Sequence, residues 1–268
     1  MTISVEIINQ LNDNYSYLIC SNENNSGIVI DPAESDKILE VLKKKKLNLD
    51  YIFITHHHSD HTSGVIDLVK AYPGVKVFSP SELNSISINI ISDGNTITTS
   101  LNKLEVIHAP GHTLDHIVLC DHKNNLLFVG DVIFRLGCGR VFEGTFEQMH
   151  NSLLKLLNLS DRMLVYCGHE YTLNNLKFLE HMFKKNKILE SAKKSIISDL
   201  KSKTRSVPFH LGDEKKYNPF LNQNCEMAFE LRNKNNYSDL EFFRYLREEK
   251  DGFYLFLSKK NLILSIFI

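Results

Sequence analysis

Thr55-His56-His57-His58-Ser59-Asp60-His61 packs four histidines and an aspartate directly behind the apolar run Tyr51-Ile52-Phe53-Ile54. Imidazole nitrogens and a carboxylate, with no thiolate among them, form a donor set suited to Zn, Fe or Mn. In an extended chain, residues two apart project to one side. His56 and His58 can therefore reach one point while His57 faces away. The turn that follows can bring Asp60 and His61 to a second point. Packing has no need for so many histidines at one strand end, so the stretch reads as a metal site.

Three more donors sit in similar settings. His112 lies in Ala109-Pro110-Gly111-His112-Thr113, Asp131 in Val129-Gly130-Asp131, and His169 in Cys167-Gly168-His169-Glu170-Tyr171. Each follows a glycine, which permits close backbone approach. Each also ends an apolar run. Singly, each would pass for an ordinary turn. Beside the first cluster, all of them can converge on one sheet edge.

That convergence demands strands that end on a common side. SVEIINQL, YSYLICS and SGIVIDP read as three strands in series, and residues 35–46 carry Ile38, Val41 and Leu42 at helical spacing. YIFIT, VKVFSP, KLEVIHAP, NLLFVGD and MLVYCGHEYT are strands that run into polar or histidine-bearing loops. After Tyr171 the texture turns helical, in LNNLKFLEHMFK, ILESAKKSIISDLKSK and LEFFRYLREEK, with residues 207–222 loop-like. The expected organisation is a strand-rich domain over 1–172, a helical domain over 173–253, and an apolar appendage over 254–268, strand-like or disordered.

Composition narrows the function classes. Of 268 residues, 43% are hydrophobic and 24% charged, which fits a folded chain and excludes wholesale disorder. A net charge of −1 gives no case for nucleic-acid binding. Residues 173–268 nevertheless carry 18 Lys+Arg against 12 Asp+Glu, a positive excess that suits an anionic ligand. Five scattered cysteines, Cys20, Cys120, Cys138, Cys167 and Cys225, fit a reducing compartment rather than a disulfide scaffold. No signal peptide or membrane span is expected, and a cytoplasmic location follows.

The order HxHxDH, PGHT, Gly-Asp, Gly-His resembles the metallo-β-lactamase superfamily over about residues 1–172. Four further stretches are similar to glyoxalase II, the hydroxyacylglutathione hydrolases, and carry the likeness to about residue 253. They are Leu136-Gly137-Cys138-Gly139-Arg140, Cys167-Gly168-His169-Glu170-Tyr171-Thr172 with Asn174-Asn175-Leu176-Lys177-Phe178, Asn218-Pro219-Phe220, and Arg247-Glu248-Glu249-Lys250-Asp251. The resemblance implies an α/β (α+β) fold: an αββα sandwich followed by a smaller C-terminal helical domain. It implies two divalent metal ions per chain, Zn first, with Fe or Mn compatible. His56, His58 and His112 would bind one metal. Asp60, His61 and His169 would bind the other, and Asp131 would bridge them. Asp60 and Asp131 are thereby the implied catalytic carboxylates, and a hydroxide shared by the metals the implied nucleophile. Arg140, Tyr171, Arg247 and Lys250 would hold the glutathione moiety. The implied reaction converts S-D-lactoylglutathione to glutathione and D-lactate, the second step of methylglyoxal detoxification, in a monomer that acts on a small molecule and binds neither nucleic acid nor membrane.

Some positions depart from that pattern. Arg140 stands where Lys is expected, Phe142 where Tyr is frequent, Asn222 where Arg is common, and Ser59 where a bulky residue is usual. Two other functions compete. A persulfide dioxygenase would use one iron and fewer ligands. A metal-free binding protein would not keep seven donors.

Overall fold

The computed structural model describes residues 2–266 other than 22, 84 and 85, with side chains described as far as residue 253. Its frame is a pair of six-stranded sheets. The first runs β1 (Ser4–Gln10), β2 (Asn14–Ser21), β3 (Ser26–Ile30), β4 (Asn48–Phe53), β5 (Lys76–Ser79), β6 (Asn89–Ile90) in spatial order. Its first three strands are antiparallel, and β3 to β6 are parallel neighbours. In the second sheet, β7 (Thr96–Thr98), β8 (Lys103–His108), β9 (Ile117–Asp121) and β10 (Leu126–Gly130) form an antiparallel meander. A small hairpin, β11 (Ile133–Phe134) and β12 (Gly137–Cys138), follows. Then β13 (Leu164–Cys167) joins β10 in parallel, and β14 (Phe209–His210) closes the edge.

Burial explains why several strands read as unbroken apolar runs. Along β2, Leu18 and Cys20 face helices α1 (Asp36–Lys45) and α3 (Val65–Ala71), while Tyr17 and Ile19 face the other sheet. Val29 and Ile52 repeat the outward choice; Ile28, Ile30 and Phe53 repeat the inward one. Period-two alternation thus feeds two cores, one between the sheets and one under the helices. Helix α4 (Phe146–Leu157) starts at a capping box made by Thr145 and Gln148, and buries Met149, Leu153 and Leu156. With α1 and α3 on one outer face and α4 on the other, the layers are αββα.

The remaining helices are α2 (Ser59–Thr62), α5 (Thr172–Met182), α6 (Lys187–Lys203), α7 (Leu211–Tyr217), α8 (Glu226–Lys234) and α9 (Asp239–Ile266). Two expectations change. Residues 207–222 are not merely loop, because β14 and α7 lie within them. Strand β14 pairs with β13, so the helical region extends the second sheet. Over 254–266, the backbone continues α9 and is helical rather than strand-like, and residues 267 and 268 lie outside the described residues. The side chains of that segment lie outside the described residues.

Candidate metal centre

All seven donors gather at one end of the sandwich. His56 and His58 leave the end of β4, and α2 begins at once, turning Asp60 and His61 inward. His112 sits between β8 and β9, Asp131 directly follows β10, and His169 lies two residues after β13. The ligand atoms of His56, His58 and His112 lie within 4.8 Å of one another, as do those of Asp60, His61 and His169. Asp131 stands between the groups: Oδ2 is 3.4 Å from His112 Nε2 and 3.3 Å from His169 Nε2, and Oδ1 is 3.6 Å from His61 Nε2. His57 points away, to Asp115 at 3.0 Å and Glu143 at 3.2 Å. Asp131 can approach the cluster because glycines clear the way. A Cβ on Gly168 would lie 2.2 Å from Asp131 Oδ1, and Gly130, at φ 45°, would press one against Thr55 Oγ1 at 2.5 Å.

Four rings are aimed by partners that the sequence did not advertise. Asp31 Oδ2 meets His61 Nδ1 at 3.0 Å, and Asp13 Oδ1 meets His169 Nδ1 at 2.8 Å. His112 Nδ1 meets the Arg140 carbonyl at 2.9 Å, and His56 Nδ1 the Thr55 hydroxyl at 3.0 Å. Each contact directs Nε2 into the cluster, the usual work of outer partners at metal sites. Asp31 takes both the amide and the hydroxyl of Thr55, at 2.8 and 2.7 Å, from a left-handed backbone at φ 51°. Asn14 fixes Asp60 through Oδ2 at 3.0 Å. His116 Nε2 accepts the Asp131 amide at 3.0 Å, and its ring stacks on His56. The position of Asp13 and Asp31 just past apolar strand runs was the only signal that could have found them.

The charge pattern fits cations. Burial, then the neighbouring His61, drives His56 well below the ordinary imidazole range, and burial lowers His58 as well. Both rings are therefore neutral donors. Burial resists ionisation of Asp131, yet His169 and His61 hold its carboxyl far below the carboxylate range. His169 is pushed up to about 11: burial opposes the shift, and the Asp131 charge outweighs it. His61 Nε2 and Asp131 Oδ1 are buried without hydrogen-bond partners. Unsatisfied buried atoms are costly, and two cations in this set would satisfy them. The residues present fit a two-metal site.

The cluster floors a cavity of ≈ 550 Å³ whose far wall is the helical region. Arg140, Tyr171, Arg247 and Lys250 all line it. Tyr171 stacks parallel on His169 at 4.8 Å. Arg247 and Lys250 are not on a solvated helix face, as their periodicity by itself would have it: they are 1% and 3% exposed. Arg247 donates to the Cys138 carbonyl at 3.0 Å and to Asp251 at 2.9 Å. Arg140 lies 3.3 Å from the same carboxylate, near the mouth. Lys250 rests over the Phe220 ring. Burial, then the Arg247 charge, lowers its ammonium to about 7. Phe142, 60% exposed, caps His58 and His112 at the lip. Cys138 and Cys167 are buried free thiols, and burial raises both.

Two family descriptions match the chain: the metallo-beta-lactamase superfamily over residues 11–169 and the hydroxyacylglutathione hydrolase C-terminus over 170–253. A hydroxyacylglutathione hydrolase of Serratia proteamaculans is 39% identical, covering 90% of this chain and 96% of that protein. Another from Aeromonas hydrophila is 42% identical over 80% of this chain and 83% of its own. The crystal structure of ETHE1 from Myxococcus xanthus shares the fold at a TM-score of 0.61 and 22% identity, over 94% of this chain and 100% of that one.

Proposed function

The chain belongs to the hydroxyacylglutathione hydrolases of the metallo-beta-lactamase superfamily, and from that premise we propose that its donor cluster holds two Zn ions serving thioester cleavage. The reaction is hydrolysis of a hydroxyacylglutathione to a hydroxy acid and glutathione. S-D-lactoylglutathione is the substrate we infer, and removal of methylglyoxal the process it serves. The observation that carries this reading is the meeting of seven donors beneath a cavity with a cationic far wall.

In this reading His56, His58 and His112 would hold one ion and Asp60, His61 and His169 the other, with Asp131 available to either. When bound, such ions supply Lewis acidity, which lowers the pKa of water towards neutrality and polarises a carbonyl. The chain's own part is orientation and binding. Asp31, Asp13, Thr55 and the Arg140 carbonyl keep the ring nitrogens aimed. Tyr171 and Phe134 wall the His169 side. Lys250 receives the glycine carboxylate of glutathione, an anion that suits a buried ammonium whose N–H donors have no salt-bridge partner among the described residues. Arg140 faces the same end of the substrate from the mouth. Arg247, already shared between Asp251 and Cys138, adds its field and holds the wall.

Purified protein should contain about two transition-metal ions per chain and cleave S-D-lactoylglutathione. Full activity with one ion or none would sink the reading. We also read the protein as a cytoplasmic monomer. Among the described residues no helix is long and apolar enough to cross a membrane. Light scattering that returned a dimer mass would remove the monomer from the proposal.

A further inference from the structure

Between Asp131 and Arg140 the chain makes the β11–β12 hairpin, with Arg135 and Leu136 at its turn. Leu136 is buried with φ 61°, a region that side chains other than glycine rarely adopt. Such a conformation persists only where the surroundings over-determine it. Here the hydrogen bonds that clamp it come from beyond residue 172. Glu214 Oε2 accepts the Leu136 amide at 2.8 Å and the Asn218 side-chain amide at 2.9 Å. Asn218 Nδ2 also donates to the Gly137 carbonyl at 2.9 Å. Asn175 donates to the Arg135 carbonyl at 2.9 Å, and Arg247 to that of Cys138. Glu214 and Asn218 are buried. The hairpin's two flanks reach the metal site: Asp131 precedes it, and the Arg140 carbonyl that orients His112 follows it.

We propose that Glu214 is a positioning residue for the metal centre. By accepting the Leu136 amide and orienting Asn218, it locks the hairpin and so fixes both Asp131 and the carbonyl behind His112. The helical region then builds the metal site as well as facing it, though it contributes no donor. The idea rests on the two-metal reading above, but only on its metal part. Because one oxygen makes both contacts, the acceptor matters and the charge does not. Gln should therefore replace Glu.

The test compares apo-protein of the wild type, Glu214→Gln, Glu214→Ala and Asn218→Ala by Co²⁺ titration, following the visible absorption of the bound ion. Unfolding midpoints and hydrolysis kinetics are taken on the same samples. Glu214→Ala should weaken Co²⁺ binding about 10- to 100-fold, the range seen when outer partners of metal ligands are removed. Its kcat should fall by a similar factor and by more than KM rises, because the hairpin reaches the wall only through Arg140 and the Arg247–Cys138 contact while Lys250 keeps its place over Phe220. Glu214→Gln should restore both properties to within about threefold of wild type. Wild-type Co²⁺ affinity in folded Glu214→Ala overturns the proposal, and so does a Gln variant as impaired as the Ala one. Should Glu214→Ala not fold, Asn218→Ala decides. It frees the Gly137 carbonyl while keeping the Glu214–Leu136 contact, and unchanged Co²⁺ affinity in it overturns the idea. A wild type that takes up two cobalt ions yet leaves S-D-lactoylglutathione intact would sink the substrate reading and leave Glu214's role standing.

Discussion

At the histidine end of the sandwich the rings are aimed by partners outside the cluster, whereas on the helical wall Lys250 is held by burial. His61 and His169 each lean on a carboxylate, Asp31 and Asp13, that takes no part in the cluster itself. Lys250 leans on a phenyl face, and its ammonium faces the cavity without a salt bridge among the described residues. A metal ligand must be held to a fraction of an ångström, and a directed hydrogen bond does that. A site for a substrate's charged tail needs only a strong field in a poorly hydrated wall, and burial does that. The consequence is that the two regions should fail differently: one in metal and turnover, the other in substrate affinity.

The sharpest way to break this contrast is Asp131→Ala, which removes the group between the two halves of the cluster. Turnover and metal content should both drop, turnover by more than about a hundredfold, beyond the usual effect of an outer partner. Retention of two ions by that variant, measured by elemental analysis, would deny Asp131 its shared role. Next comes Asp31→Asn, which keeps the shape and weakens the acceptor for His61. Metal affinity should fall about 10- to 100-fold with KM little changed. A variant that changed only KM would erase the division between the regions.

Smaller effects belong to the wall. Lys250→Met should raise KM about tenfold and leave kcat nearly intact, since the substrate tail does not react. Lys250 also carries a pH signature. Its folded-state value near 7 means the ammonium is charged below that pH and neutral above it. Affinity for S-methylglutathione should therefore weaken as pH rises through about 7, and Lys250→Met should flatten the profile. Calorimetry that showed the same slope in both proteins would remove Lys250 from the binding wall. Arg247→Ala is expected to cost stability, about 1–3 kcal/mol by thermal unfolding, because it strands the Cys138 carbonyl. High salt should mimic little of that loss, since the guanidinium is buried rather than screened. A large salt effect on the wild type at this position would return Arg247 to the solvated face that its spacing suggests.

Much of the fold and the donor set was legible in the chain itself. Seven polar donors, each at the end of an apolar run, needed only sheet geometry to bring them together. The strands whose two faces are both buried showed as continuous apolar stretches. Within 207–222, proline and glycine masked β14 and α7, whose existence depends on docking against β13 and the hairpin. Arg247 and Lys250 showed helical spacing, which fixes their common face but not what covers it.

What the sequence determined is local: which side chains can bind a metal, which strands end beside them, and which family pattern they fit. What only the tertiary structure decided is which distant groups complete each local one. Asp31 reaches His61 across 30 residues, Asp13 reaches His169 across 156, and Glu214 reaches Leu136 across 78. None of these three carboxylates announces itself, because a buried acceptor is identified by the donor it meets, and that meeting exists only once the layers have packed.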